Sequence, residues 1–319
     1  MTNAASPAPR SSAAAPSTQR VAVLTALVAN LVVAAAKLGA FAITTSSALL
    51  AESLHSFADT ANEVLLLVGA RRATRPADLR HPFGHARYRY VYAFLVSLTV
   101  FWIGGVLAVI EGVSHLASDE PIVDPIWALA VLALGAALDG WSLRTTVRAG
   151  RSVKGVLSWK QLVRTTKAPE LIVIFLEDLG ALVGIGIATI GVGLAIITGD
   201  AIWDAVASIA IGLLLMAIGL VVNRETQSLL LGESATKDVE DTIRAAITAI
   251  DGIDGVVNLR TIHLGPDDLV VASGILVDGA IDAAGIARAI VEAEDRVRAE
   301  LPFRTVIYLE PRIAGATGD

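Results

Sequence analysis

The chain has 319 residues, 54% of them hydrophobic and only 18% charged, with a mean hydropathy of +0.65; this is too apolar for a soluble α/β domain of that length. It contains no cysteine, which removes disulfides, thiolate metal sites and cysteine nucleophiles together and leaves imidazole and carboxylate as its metal-binding chemistry. The net charge of −6 says less, because in a membrane protein the placement of charge outweighs its sum.

Residues 1–18 are rich in Ala, Ser and Pro and read as a disordered tail, since such a composition buries too little apolar surface to offset ordering entropy. A signal peptide is the competing reading, but the apolar stretch that follows is long enough to span and no convincing cleavage site comes after it. Six apolar stretches come next, at roughly 21–43, 48–70, 91–114, 125–143, 171–197 and 202–222. A helix needs about 20 residues to cross a hydrocarbon core of about 30 Å, so all six are expected to span, within a transmembrane domain over 19–225. Arg71, Arg72, Arg75, Arg80, Arg87 and Arg89 fall between the second and third stretches, and Arg144, Arg148, Arg151, Lys154, Lys160, Arg164 and Lys167 between the fourth and fifth. The opposite loops, Thr44–Ser47, Ser118–Asp124 and Thr198–Ala201, hold no Lys or Arg, so the positive-inside rule puts both termini in the cytoplasm.

From Ala235 the hydrophobic period changes. Lys237–Ile250 has helical spacing, Val256–Leu264 and Leu269–Val277 read as strands, Asp282–Leu301 as an amphipathic helix and Thr305–Glu310 as a closing strand. Gly265-Pro266-Asp267-Asp268 has hairpin chemistry. The expected fold is thus an α-helical membrane protein with six transmembrane helices and a C-terminal cytoplasmic α+β domain (αββαβ, ferredoxin-like or metallochaperone-like) at 235–313. Its core is thin for about 80 residues, which favours dimerisation through it.

Ionisable groups inside a span cost several kcal/mol, so each calls for a reason. The second stretch carries Glu52, His55, Asp59 and Glu63. His55 and Asp59 are four apart, hence on one helix face, and roughly 10–17 Å below the outer surface by helical rise. Glu177 and Asp178 enter the fifth stretch from the other side and reach roughly 11–13 Å, the same layer. With no Lys or Arg in either stretch, these acids call for a cation that the chain does not itself provide. Imidazole with carboxylates suits zinc, iron or manganese. A structural polar contact between helices is the other reading for His55 and Asp59, and for Glu177 it weighs equally, because Asp178 points about 100° away and is the better placed of the two. Glu52 and Glu63, nearer the surfaces, are expected at water-filled vestibules as readily as at a metal. Lys37 is expected to snorkel outward, Asn30 to bond between helices, and Glu111, Asp139 and Asp204 to be solvated near span ends. A second cluster, Asp78, His81 and His85 in D-L-R-H-P-F-G-H, is not helical, but a turn can bring the three round one ion; solvated or headgroup-facing histidines are the alternative.

S-L-H-S-F-A-D-T-A-N at 53–62, H-P-F-G-H at 81–85, D-A-V-A-S-I-A-I-G at 204–212 and the C-terminal αββαβ order together resemble the cation diffusion facilitator family over nearly the whole chain. The resemblance implies a homodimer exchanging a cytoplasmic divalent metal for protons by alternating access. Its transport site takes two residues four apart from the second span, here His55 and Asp59, and two four apart from the fifth. There Asp178 matches the carboxylate, but Ile174 stands where the pattern has His, and Glu177 is the replacement, as in the branch reading L-E-D. Asp78, His81 and His85 match positions that bind a second zinc in some members. His263 alone remains of the histidines that make the C-terminal metal sites of zinc-exporting relatives, so those sites are expected to be absent or weakened.

The expected function is therefore divalent metal efflux, zinc first, with iron, manganese and cobalt sharing the ligands, and with protons and the bilayer as further partners. No enzyme activity, cofactor or nucleic-acid partner is expected. The alternative is a non-transporting membrane metal sensor or scaffold; an intramembrane hydrolase ranks low without an H-E-x-x-H motif. Short loops and no visible targeting segment suit a bacterial plasma membrane.

Overall fold

A computed structural model describes residues 16–117, 123–154 and 167–313. Its elements are α1 (Pro16–Thr44), α2 (Ser47–Ala73), α3 (Tyr88–Leu116, with a π-helical segment at Val100–Val106), α4 (Pro125–Lys154), α5 (Pro169–Thr198) and α6 (Ile202–Leu231), then α7 (Lys237–Thr248), β1 (Ile253–Gly265), β2 (Asp268–Val277), α8 (Ala283–Glu300) and β3 (Arg304–Ile313). Each expected apolar stretch lies inside a helix. Several helices run past it, α4 to Lys154 and α6 to Leu231, because hydropathy marks where lipid would lie whereas helical hydrogen bonding continues through Arg, Thr and Glu.

Among the described residues, four helices are long and apolar enough to cross a membrane: α3, α4, α5 and α6. The described apolar part of α1, Asn30–Thr44, is shorter, and α2 is less apolar because it carries Glu52, His55, Asp59, Asn62 and Glu63. Of the expected N-terminal tail, residues 1–15 lie outside the described residues. Residues 16–18 are instead the first turn of α1, where Pro16 sits at a position in which its missing N–H costs nothing.

The chain divides into two compact units. The first holds α1, α2 as far as Glu63, Ile103–Ala137 and Val183–Leu213. Inside it α3 and α6 approach backbone to backbone: a Cβ added at Gly212 would stand 2.7 Å from the Gly105 carbonyl oxygen, and Ser208 Oγ donates to the Ala108 carbonyl at 3.0 Å. Small residues at such a seam let dispersion and an interhelical hydrogen bond replace a hydrophobic driving force.

The turn between α1 and α2 corrects one expectation. Asp204 is fully buried rather than solvated; it accepts from Ser46 Oγ at 2.6 Å, Ser47 Oγ at 3.1 Å and the Ala48 amide at 3.3 Å. A carboxylate there satisfies orphan donors at the start of α2 and complements its dipole.

The second unit holds Val64–Trp102, Leu138–Leu182 and the chain from Leu214 on. Its sheet has the order β1-β2-β3, with β1 antiparallel to β2 and β2 parallel to β3 from Asp268↔Arg304 to Val277↔Ile313. The αββαβ order matches the sequence reading. Leu269, Val271 and Ile275 of β2 point into a core filled by Ile243 and Ile247 of α7 and Ala293 and Val297 of α8. The hairpin closes through Pro266 and Asp267, and the Asp282 side chain caps α8 by accepting from the Gly285 amide at 2.7 Å. β1 breaks register between Val257 and Arg260, where Asn258 adopts φ +52°, and β3 contains Pro311.

Candidate metal sites

His55 and Asp59 lie one helical turn apart on α2, and their side chains meet: Nδ1 of His55 is 3.5 Å from Oδ1 of Asp59. The imidazole is 1% exposed and the carboxylate 23%, so the pair has a buried end and an accessible one. The i, i+4 spacing delivers the shared face that the sequence implied.

Lys37 overturns two expectations. It is fully buried and does not snorkel: its ammonium donates to Glu52 Oε2 at 3.1 Å and to Ser56 Oγ at 2.8 Å. Glu52, expected at a vestibule as readily as at a metal, is also fully buried, with Oε1 against the backbone of Gly184 on α5, where any side chain would collide with it. The chain thus supplies a cation to the acidic span after all, from α1 rather than from α2. Asn30 bonds between helices as read, donating through Nδ2 to Glu63 Oε1 at 2.7 Å.

On α5 the two adjacent acids diverge. Glu177 is buried, whereas Asp178 is half-buried and turns toward α4, where Ser142 Oγ donates to Oδ1 at 2.8 Å and Thr146 Oγ1 to Oδ2 at 2.7 Å. Ile174, at the place of the absent histidine, is exposed. The α2 pair belongs to the first unit and the α5 pair to the second.

In the loop between α2 and α3, Asp78, His81 and His85 converge, one ligand atom from each lying within 4.8 Å of the others. Asp78 Oδ1 accepts from the amides of Arg80 at 2.8 Å and His81 at 2.7 Å and stands 3.3 Å from His81 Nδ1; Oδ2 is 3.5 Å from His85 Nε2. The His81 amide first, then the Arg80 amide and the His81 ring, hold the exposed Asp78 carboxyl below its ordinary range. Nδ1 of His85 lies 3.1 Å from the Pro76 carbonyl oxygen, which as acceptor leaves Nε2 as the lone-pair nitrogen facing the cluster. Stacking of His85 on Tyr88 and Arg72 over the Tyr88 and Tyr92 rings brace the loop. Arg89 then ties it to the first turn of α5 and the β1–β2 turn, donating to Glu170 at 2.5 and 3.1 Å and to Asp267 at 3.0 Å.

His263 is buried in the C-terminal domain, its ring edge-on to Phe303 and Nδ1 3.3 Å from the Gly265 carbonyl oxygen. Burial pushes its pKa down. It is a core histidine.

Ser142 and Thr146 were missed by sequence reading. Part of their signal was present: two hydroxyls four apart at the end of the apolar stretch of α4, a spacing that stacks them on one helix face but does not name the acid they meet.

Residues 23–231 match the cation efflux transmembrane domain and residues 235–312 the cytoplasmic domain of cation efflux proteins. The chain is 27% identical over 262 residues to the mitochondrial proton-coupled zinc antiporter SLC30A9 of Xenopus laevis, covering 81% of this chain and 46% of that protein. It is 26% identical over 250 residues to metal tolerance protein C4 of Arabidopsis thaliana, covering 77% and 54%, and 26% identical over 247 residues to the manganese efflux system protein MneP of Bacillus subtilis, covering 76% and 78%. The chain therefore spans about half the length of the first two and most of the third. With both domains of the architecture matched in order, the chain belongs to the cation efflux, or cation diffusion facilitator, family of membrane transporters.

Proposed function

We propose that this protein exports a divalent metal ion, zinc first, from the cytoplasm in exchange for protons, as a homodimer with six spans that cycles by alternating access. His55, Asp59 and Asp178 hold the ion at mid-membrane, and Glu177 takes the place of the fifth-span histidine. The observation that carries the reading is the His55–Asp59 pair, with a buried imidazole beside a partly exposed carboxylate one helical turn away. A relative named as a proton-coupled zinc antiporter supports zinc and antiport; MneP, named for manganese, makes manganese the first competitor.

Proton coupling follows from the ligand chemistry. Zinc requires neutral imidazole and ionised carboxylate, so metal entry expels protons and metal exit readmits them. Asp78, His81 and His85 form a second site on the cytoplasmic side, with the termini in the cytoplasm by the positive-inside rule. We place the protein in the cell membrane; relatives named as mitochondrial make a mitochondrial membrane the competing location, which fractionation with marker proteins decides.

The test is reconstitution into proteoliposomes carrying a zinc indicator and a pH-sensitive dye. Adding zinc to the parent protein moves zinc and protons in opposite directions, and Asp59→Ala abolishes both. Zinc movement retained in a folded Asp59→Ala protein overturns the ligand assignment. A parent that binds zinc and moves neither ion is the sensor.

A further inference from the structure

Among the described residues, the helical threonines mostly bond to their own helix: Thr60 donates to the Ser56 carbonyl, Thr99 to Leu95, Thr189 to Ile185, Thr198 to Leu194 and Thr226 to Val222. That back-bonding is the usual outlet for a hydroxyl inside a helix. Even Thr145, next in the chain to Thr146, donates to the Ser142 carbonyl at 2.8 Å. Thr146 departs from the habit and donates across to Asp178 Oδ2, while Ser142, one turn earlier on the same face of α4, donates to Oδ1. Each carboxylate oxygen of Asp178 therefore receives one hydroxyl, 2.7 or 2.8 Å away, from a neighbouring helix.

Two donors, one on each oxygen, fix the plane of a carboxylate. An ionised carboxylate has about four lone-pair directions, so two donors leave about two for another partner. That combination, an oriented anion with acceptor capacity remaining, is what outer-shell hydrogen bonds give a metal-binding carboxylate.

We infer that Ser142 and Thr146 are positioning residues for metal binding, holding the Asp178 carboxylate in one orientation with acceptor capacity left for the transported ion. The inference rests on the proposed reading of Asp178 as a transport ligand. It adds α4, a helix with no assigned ligand, to the determinants of metal affinity.

The experiment uses the full chain in a His81→Ala/His85→Ala background, so that the loop cluster does not contribute, and titrates zinc against a competing fluorescent chelator. The Ser142→Ala/Thr146→Val variant is expected to weaken zinc binding about 10- to 100-fold and to raise the transport KM more than it lowers kcat. Ser142→Thr/Thr146→Ser, which keeps both hydroxyls, is expected to bind like the parent. Parent-like affinity in the Ala/Val variant overturns the inference, and so does an equal loss in the hydroxyl-keeping variant, which would assign the effect to packing. Thermal melting without metal checks folding, and if the double variant does not fold, the two single substitutions are read by the same criteria. Asp178→Asn separates the two levels: parent-like affinity there removes Asp178 from the site, whereas loss there with a parent-like Ser142→Ala/Thr146→Val removes only the positioning role.

Discussion

The ammonium of Lys37 donates to the carboxylate of Glu52 at 3.1 Å with both side chains fully out of solvent. Removing one member strands a charge, which costs roughly 3–5 kcal/mol for buried pairs in general, whereas replacing both with apolar or neutral groups is often near neutral. Lys37→Met and Glu52→Gln are each expected to be strongly destabilising, and the double variant to recover most of the loss. A double-mutant cycle from unfolding in detergent measures it; additive losses would show that the pair is not coupled.

The buried clasp on Asp204 yields a local prediction. Asp204→Ala leaves the Ser46 and Ser47 hydroxyls and the Ala48 amide without their acceptor, at a cost of roughly 1–3 kcal/mol. Hydrogen exchange is expected to quicken at the first amides of α2 before it changes elsewhere, and Asp204→Asn, which keeps an acceptor, to lose less.

The C-terminal domain carries a pH dependence through His263. Burial lowers its folded pKa below the ordinary 6.5, so the unfolded chain takes up a proton first as pH falls. Its stabilising contribution is therefore complete above 6.5 and is lost as pH falls toward the folded value. Hydrogen exchange at β1 and β2 amides is expected to accelerate below pH 6.5 in the parent and to lose that dependence in His263→Phe. A parent-like pH profile in the variant would assign the effect to another group.

The loop cluster predicts a stoichiometry. With both proposed sites filled, each protomer retains two zinc ions, and His81→Ala/His85→Ala retains one. Elemental analysis after dialysis counts them, and an unchanged count in the variant removes the loop from the metal sites.

Hydropathy and period were enough to read α3 to α6 and the αββαβ domain, because burial in lipid or in a core is written residue by residue along one chain. The i, i+4 pair His55–Asp59 was legible for the same reason. Lys37–Glu52, Asp204 on the α1–α2 turn and Ser142–Thr146 on Asp178 were not, since each joins residues far apart in sequence and no single-helix spacing encodes a partner on another helix. Lys37 shows the cost of that blindness: an isolated lysine near a span end is expected to reach for water, and only the position of Glu52 makes burial the better outcome.

Each edge strand of the small sheet carries an interruption. Pro311 in β3 has no N–H to offer an added strand, and the register break with the left-handed Asn258 interrupts the outer edge of β1. Both features disfavour edge pairing by a second copy. Val306 and Tyr308, on alternate positions of β3, are exposed, so beside that edge the domain offers a partner apolar side chains.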